Sequence, residues 1–319
     1  MPRFQSYAVP RADLGEAFYE YLIEQRDFVG IRALALAPVQ RPAAKFPKIL
    51  RANWLRNQKV ERAAGSAFRR VDYAVTDDSY ACKEYAIEHT IDDTELARYA
   101  YDFDLALAGL TFATQVILRQ QEDRIAKLLF NTNTWSGSNL FTDNSANPWS
   151  NPATDVLAQT NAARNKIRLL TGQEPNKILM SIKNRDHLLN NDDFRSHFFS
   201  SGAVPSQDTL QAALAQWLGV EEVLVGKAVV NLADEGQNAS LSNIWSDTYV
   251  MLLKAAPQGE SLLMYPCVGR TLLWEEVGPG MVRVEQYRDE TVASEVYRVR
   301  QHVDEKVIDP SYAHLMKVA

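Results

Sequence analysis

Cysteine is scarce: Cys82 and Cys267 are the two thiols in 319 residues. Two thiols so far apart cannot build a four-thiolate zinc or iron–sulfur site, and each reads as a small buried hydrophobe. Gly-rich phosphate loops, a G-x-S-x-G nucleophile elbow and an H-E-x-x-H motif are all missing. The residues recommend no catalytic centre, no cofactor and no metal site. Histidine is sparse too. His187 and His197 are ten apart, around Asp192 and Asp193. That pattern suits helix-capping acids and exposed imidazoles better than a metal cage. No apolar run is long: Leu105 to Leu118 is uncharged, but falls short of the roughly 20 residues a bilayer requires. The opening Met1-Pro-Arg-Phe-Gln-Ser has no apolar leader, so no signal peptide is expected. An excess of positive charge is missing as well. Lys plus Arg is 34 against 40 for Asp plus Glu, a net of −6, which argues against a globally basic nucleic-acid binder.

What is there is a globular composition. At 46% hydrophobic and 23% charged the chain is not disordered, and its length predicts roughly two domains. Charge is unevenly placed. Between Arg41 and Arg70 stand nine bases, Arg41, Lys45, Lys48, Arg51, Arg56, Lys59, Arg62, Arg69 and Arg70, against Glu61, a local net of +8. Val71 to Asp104 holds ten acids and two bases, a net of −8. Alternation at Val71, Tyr73 and Val75, then Tyr85 and Ile87, reads as strand, and Gly65-Ser66 as a turn. The pattern predicts a two-stranded excursion. Such a ribbon has no core of its own and needs another surface. If copies of the chain assemble, its bases can lie on acids of a neighbour, with Asp77, Asp78, Asp92 and Asp93 as candidates. Asp92 and Asp93 also read as caps of a following helix. Two readings remain beside this one. The charge halves could neutralise each other within one subunit, or the basic ribbon could be a binding module for phosphate. No helix-turn-helix or zinc-finger frame accompanies it, and Trp54 and Phe68 are sparse aromatic partners.

Around this ribbon the elements follow in order. Asp13 caps a short helical pattern holding Phe18, Leu22 and Ile23, and Pro38, Pro42 and Pro47 then break regular structure. Asp104 opens a helix reaching Phe130. Its first half is apolar nearly all round and should be buried; its second half is amphipathic. Gly109 in its interior is costly unless close packing requires it. Asn131 to Asn151 is a polar loop that Trp135, Phe141 and Trp149 can dock onto the protein. An α+β unit follows, with helices at Ala153–Leu170, Lys183–Asn190 and Gln207–Leu218, the last capped by Ser206. Its strands are Lys177–Ser181, Glu222–Gly226, Lys227–Asn231 and Asp247–Leu253. Val268 to Val307 is mostly strand, interrupted at Gly278-Pro279-Gly280. There Tyr297, Val299 and Val303 share one face, while Arg298, Arg300 and His302 take the other. Strands after a separate unit imply a return to the first one.

Several phrases stand in a specific order. Gln121-Glu-Asp-Arg-Ile-Ala-Lys-Leu-Leu-Phe130 ends the long helix and runs into Asn131-Thr-Asn-Thr. Trp149-Ser-Asn-Pro-Ala-Thr-Asp155 opens the next helix. Pro175-Asn-Lys-Ile-Leu-Met180, Thr209-Leu-Gln-Ala-Ala-Leu-Ala-Gln-Trp-Leu-Gly-Val220, Val223-Leu-Val-Gly226, Asn243-Ile-Trp-Ser-Asp247 and Tyr249-Val-Met-Leu-Leu253 complete the series. In this order the chain resembles the major capsid protein of tailed bacteriophages, with its HK97-like fold. The resemblance implies an α+β architecture. Residues 1–40 would be an N-terminal arm and 41–90 an extended β-hairpin loop reaching a neighbouring subunit. Residues 91–150 and 260–319 would form a peripheral domain with a spine helix, and 151–259 an axial domain. It further implies a non-enzymatic subunit without cofactors. Such subunits form hexamers and pentamers of an icosahedral shell around double-stranded DNA, assembled in the host cytoplasm and ending in the virion. No membrane is involved. Separate scaffolding, portal and decoration proteins are the implied partners, because the short arm leaves no room for a scaffolding region of about a hundred residues unless it was removed. Some relatives cross-link subunits through a Lys–Asn bond. Lys45, Lys48 and Lys59 lie in the loop, but no frame selects one. An encapsulin-like nanocompartment shell is the nearest alternative.

Overall fold

The computed structural model describes residues 9–10, 28–49, 55–57, 60–62, 64–65, 67–68, 70–72, 74–99, 105–198, 207–258, 265–274 and 282–319. The expected helix after Asp13, the caps Asp104 and Ser206, and the Gly278-Pro279-Gly280 break lie outside the described residues. So do Ser66, Tyr73 and three of the basic candidates, Arg51, Lys59 and Arg69.

A five-stranded sheet forms one half of the molecule. It comprises β6 (Phe141–Asp143), β7 (Lys177–Ser181), β8 (Glu222–Gly226), β11 (Tyr249–Leu253) and β15 (Ala313–Lys317), in the order β6-β15-β11-β7-β8. The apolar runs Ile-Leu-Met, Val-Leu-Val and Val-Met-Leu-Leu are nearly unbroken because both faces of this sheet are covered. Alternate residues go to opposite sides. Leu179, Leu224, Met251, Leu253 and Leu315 share a core with Ile125, Leu129, Trp135 and Trp245. Ile178, Met180, Val223, Val225, Val250, Leu252 and Met316 share another with Phe194 and three longer helices. These are α4 (Val156–Thr171), α5 (Ile182–Leu189) and α7 (Gln207–Leu218). Asp155 accepts from Ala158 N at the start of α4, and Gly172, at φ +73°, closes it. A helix not expected from the sequence, α6 (Asp192–Phe198), begins at the acid pair Asp192 and Asp193. Trp135 and Trp149 are buried as anchors of the polar loop.

The second sheet has six strands: β1 (Val9–Pro10), β13 (Arg283–Asp289), β14 (Ser294–Val307), β12 (Gly269–Trp274) and β2 (Leu36–Val39) in that order, with β5 (Lys83–Asp92) also on β14. One helix, α3 (Leu105–Leu129), serves both sheets. Its first half packs Leu110, Ala113 and Ile117 on Val284, Val299 and Ile87 of the six-stranded sheet. Its second half buries Ile125 and Leu129 under the five-stranded one. Tyr297, Val299 and Val303 are buried, as their alternation predicts.

Four expectations need correction. The first half of α3 is not buried all round: Leu107 is 46% and Phe112 60% exposed. A single sheet covers only the face carrying Leu110, Ala113 and Ile117, so the opposite stripe stays in solvent. Val71 is not part of a strand that continues through Val75. The ribbon consists of β3 (Ala43–Ile49) and β4 (Val75–Ala81), paired from Ala43 with Ala81 to Ile49 with Val75. Neither Pro47 nor Pro38 breaks its strand: Pro47 lies within β3 opposite Asp77, and Pro38 within the edge strand β2 beside Leu273. A two-stranded ribbon tolerates proline because each strand has an edge on which no N–H is required. Strand Lys227–Asn231 is shorter than expected, as β9 (Val229–Asn231), and pairs with β10 (Leu241–Asn243) in a hairpin of its own. Gly109 is explained by close packing. A Cβ there would lie 2.2 Å from Cδ2 of His89, so β5 approaches α3 more closely than any side chain would allow.

Candidate functional site

The ribbon is built on a fixed base. Lys48 Nζ donates to Ile308 O, and Lys306 donates to Ser79 O and, at 2.5 Å, to Asp78. Ala81 N donates to Asp304 at 3.0 Å. Phe46 is buried beneath this base, with Lys306 5.7 Å from its ring. Burial pushes the Asp78 carboxyl up, but Lys306 and the Ser79 N–H bring it below its usual value. Beyond the base the loop changes character. Arg56, Arg62 and Arg70 are exposed, and so are Val60 at 88% and Phe68 at 79%. The Arg62 guanidinium lies 4.1 Å over the Phe68 ring. Arg41 and Lys45 are exposed near the base. No described part of the loop from Leu55 to Ala74 is regular strand.

The four acidic candidates separate. Asp77 is exposed on β4. Asp78 meets Lys306. Asp92 accepts from Thr94 N at 2.8 Å and caps α2 (Asp93–Tyr99); the Thr94 hydroxyl and N–H hold its carboxyl below the usual range. Asp93 receives Arg288 through two bonds of 2.8 and 2.6 Å, which lowers it as well. The outer face of the six-stranded sheet continues this pattern. Buried Glu285 accepts from Arg300 at 2.8 Å and Arg283 at 2.9 Å, with Arg298 at 3.5 Å. Arg298 also reaches Glu88 at 2.6 Å, and Arg300 reaches Glu84 at 3.4 Å. Glu84 and Glu88 of β5 are thus answered by β14 of the same chain, while Asp92 at its end is held by Thr94.

A residue that sequence reading passed over sits at the join of the two halves. Glu122 of α3 is buried and accepts three bonds: from Val29 N (2.9 Å), Gly30 N (2.8 Å) and Trp245 Nε1 (2.6 Å). Burial pushes its carboxyl up to about 7, against the pull of these donors. A Cβ on Gly30 would stand 2.6 Å from Oε2, so only glycine lets the backbone of α1 (Gly30–Ala33) come this near. The signal was readable: Leu118, Glu122, Ile125 and Leu129 share one helical stripe, and a carboxylate inside an apolar stripe requires donors. A second buried network is built on β15. His314 lies 2.9 Å from Asn139 O through Nδ1 and 2.8 Å from Thr142 Oγ1 through Nε2, and Lys166 donates to the same Thr142 oxygen at 2.8 Å. Burial pushes the imidazole down to about 4. Among the described residues no group of three His, Cys, Asp or Glu side chains could hold a metal, and no helix is long and apolar enough to cross a membrane.

No family model matches the chain. The major capsid protein of Pseudomonas phage JBD67 is 25% identical over 180 residues, a match covering 55% of this chain and 55% of that relative's length. A phage-related protein of Bordetella bronchiseptica superposes with a TM-score of 0.73 at 20% identity, over 98% of both chains. The holo-SrpI encapsulin of Synechococcus elongatus PCC 7942 does so at 0.51 and 12% identity, over 94% of this chain and 89% of its own. The mixed sheets and helices of this chain therefore share an α+β fold with these solved structures.

Proposed function

We propose that the chain is the major structural subunit of a closed shell: hexamers and pentamers that enclose the double-stranded DNA of a tailed phage. The observation that carries this is the ribbon, anchored at its base to β14 and Ile308 but exposed at its described outer residues. A loop whose described outer residues stay exposed in its own subunit is explained by burial in another. The likeness to a phage capsid protein supports the viral form. In this reading residues 1–40 are an arm and 41–90 the loop; its last strand, β5, stays paired with β14 of its own chain, and the part before it crosses a neighbour. Residues 91–150 with 260–319 form the peripheral domain, and 151–259 the domain around the capsomer axis. Arg41, Lys45, Arg51, Arg56, Lys59, Arg62, Arg69 and Arg70 set the register of the contact, while Lys48 is held by Ile308 O of its own chain. The negative net charge is tolerable in a container that need not grip its DNA. Scaffolding, portal and decoration proteins would be separate partners, and the mature site would be the virion.

Purified protein imaged by negative stain tests the reading. Closed particles are expected from the wild type without nucleotide or metal. Reversal of Arg56, Lys59 and Arg62 to Glu should leave folded subunits that fail to close. Subunits that stay monomeric under every assembly condition would refute the shell. The encapsulin likeness favours a second reading, an enzyme-storing compartment. Nucleic acid inside particles recovered from the native host supports the phage shell; a captured enzyme supports the compartment.

A further inference from the structure

The network around His314 has no part in the ribbon, and it holds down one short piece of chain. A carbonyl can only accept, so the bond to Asn139 O puts the imidazole proton on Nδ1. Nε2 is then an acceptor, and the Thr142 hydroxyl donates to it. An ammonium can only donate, so the oxygen of that hydroxyl also receives Lys166, which donates to Ser138 O as well, both at 2.8 Å. His314 and Lys166 thus grip Ser138, Asn139 and Thr142. The gripped segment runs into β6, three residues at the edge of the five-stranded sheet, parallel to β15. On either side of β6, Leu315 N donates to Leu140 O and Asn144 N to Lys317 O, both at 2.9 Å. Leu140 and Phe141 are only partly buried, so little apolar burial holds the segment once the grip is lost.

This wiring suits a neutral ring. A second proton on Nε2 would turn an N–H toward a hydroxyl that donates to it. That hydroxyl would have to swing its own hydrogen away, and the imidazolium would share the Thr142 oxygen with the Lys166 ammonium. Burial, and then the Lys166 charge, push the imidazole down to about 4 against the pull of Asn139 O. The acids on neighbouring elements are engaged elsewhere. Asp143 of β6 takes Ser145 N at 2.9 Å and Lys317 of β15 at 3.3 Å, and Asp309, before β15, takes Ser311 N at 3.1 Å. β11, paired with β15 on its other side, brings no charge. We propose that β6 and the turn before it are an acid-released strap: protonation of His314 frees residues 138–143 from β15 while the rest of the sheet stays folded. Release bares the outer edge of β15, and an unpaired edge is a template on which another strand can pair. Every group involved belongs to one subunit, so the strap stands independently of the shell reading.

The sign follows from the two states of the ring. Its value is near 4 with the strap closed and 6.5 once it stands in water. Opening is therefore favoured as pH falls below 6.5, and should rise about thirtyfold between about pH 8 and about pH 5. Hydrogen exchange of the purified chain, read by mass spectrometry and corrected for the intrinsic effect of pH, tests this. Protection of peptides covering residues 138–145 should fall about thirtyfold over that range, while residues 177–181 of β7 keep theirs. His314→Gln should abolish the fall, because an amide takes up no proton there. Lys166→Met removes a charge that opposes protonation along with two of the bonds. Its strap should open more at pH 8 and show a shallower fall toward pH 5. If His314→Gln does not fold, the Lys166 variant carries the test, since that side chain is half-buried. Protection of 138–145 that ignores pH, an unchanged fall in a folded His314→Gln, a fall as steep in Lys166→Met as in the wild type, or one shared equally by 177–181 would each overturn the strap.

Discussion

The two sheets are covered differently, and most of the molecule's energetics follows from that. In the five-stranded sheet both faces meet apolar cores, so Leu252 and Met251, neighbours on β11, are both fully buried on opposite sides. In the six-stranded sheet Val299 is buried against α3, while Arg298 and Arg300 on either side of it stand on the outer face. The outer face is held by ion pairs around Glu285, and the helix that covers the inner face leaves its own back in solvent at Leu107 and Phe112. One half is a closed core. The other is half a core, whose missing half is exposed where a neighbour can supply it. Stability is expected to reside in the first and assembly in the second.

The sharpest test of that division is in the closed half. Leu252→Ala should cost about 4 kcal/mol in urea unfolding, since it removes a fully buried side chain packed on both neighbouring strands. Val299→Ala, under a single helix, should cost about half as much. Equal costs would show that the six-stranded sheet is as tightly packed as the other, and would remove the asymmetry.

Glu122 lies between the halves and should come next. Glu122→Ala strips three buried N–H donors of their acceptor, at about 1 kcal/mol each, for a total near 3 kcal/mol. Its pH dependence has a definite sign. The folded value, near 7, lies above the unfolded value near 4.5. Its favourable contribution is therefore fully present below about pH 4.5 and is lost as pH rises through 7. His314 acts in the opposite sense. Its folded value, near 4, lies below the unfolded 6.5, so stability falls as pH drops from 6.5 toward 4, by up to about 1.4 kcal/mol per pH unit. Urea midpoints measured from pH 4 to 8 should show a maximum between these limits. His314→Gln should flatten the acid limb and Glu122→Gln the neutral one. A profile unchanged by both substitutions would mean that neither group is buried as the structure has it.

Much of this was legible in the sequence. The apolar runs of β7, β8 and β11 announce a doubly covered sheet, and the alternation of Val299 with Arg298 and Arg300 announces a singly covered one. The switch from nine bases to ten acids marks the ribbon, and Gly109 inside the long helix raised the question of close packing that His89 answers. The rest was hidden by distance. Asp93 and Arg288 are 195 residues apart, and Asp78 and Lys306 are 228 apart, so no local pattern shows that the acids are taken. The exposure of Leu107 and Phe112 was hidden for another reason. Apolar residues around a full helical turn report the desire for cover, and not whether cover comes from the same chain.

Glu285 carries the next expected effect. Glu285→Ala leaves three arginines facing one another, but each can turn toward Glu84, Glu88 or solvent. The loss should be about 1–2 kcal/mol, below the 3–5 typical of a fully buried ion pair. Raised salt should reduce this penalty, because the freed cations are then partly screened.

The smallest effect belongs to the base of the ribbon. Asp78→Asn removes the partner of Lys306 at a half-exposed site, and exposed pairs are worth less than about 1 kcal/mol. Global stability should hardly move. Amide exchange in β3 and β4 should nevertheless quicken, because this pair is one of the few ties between the ribbon and β14. Global loss on the scale of Leu252→Ala would place the ribbon inside the subunit's own cooperative unit. The half-open region would then stand complete without a neighbour, and the contrast between the two sheets would no longer say where assembly occurs.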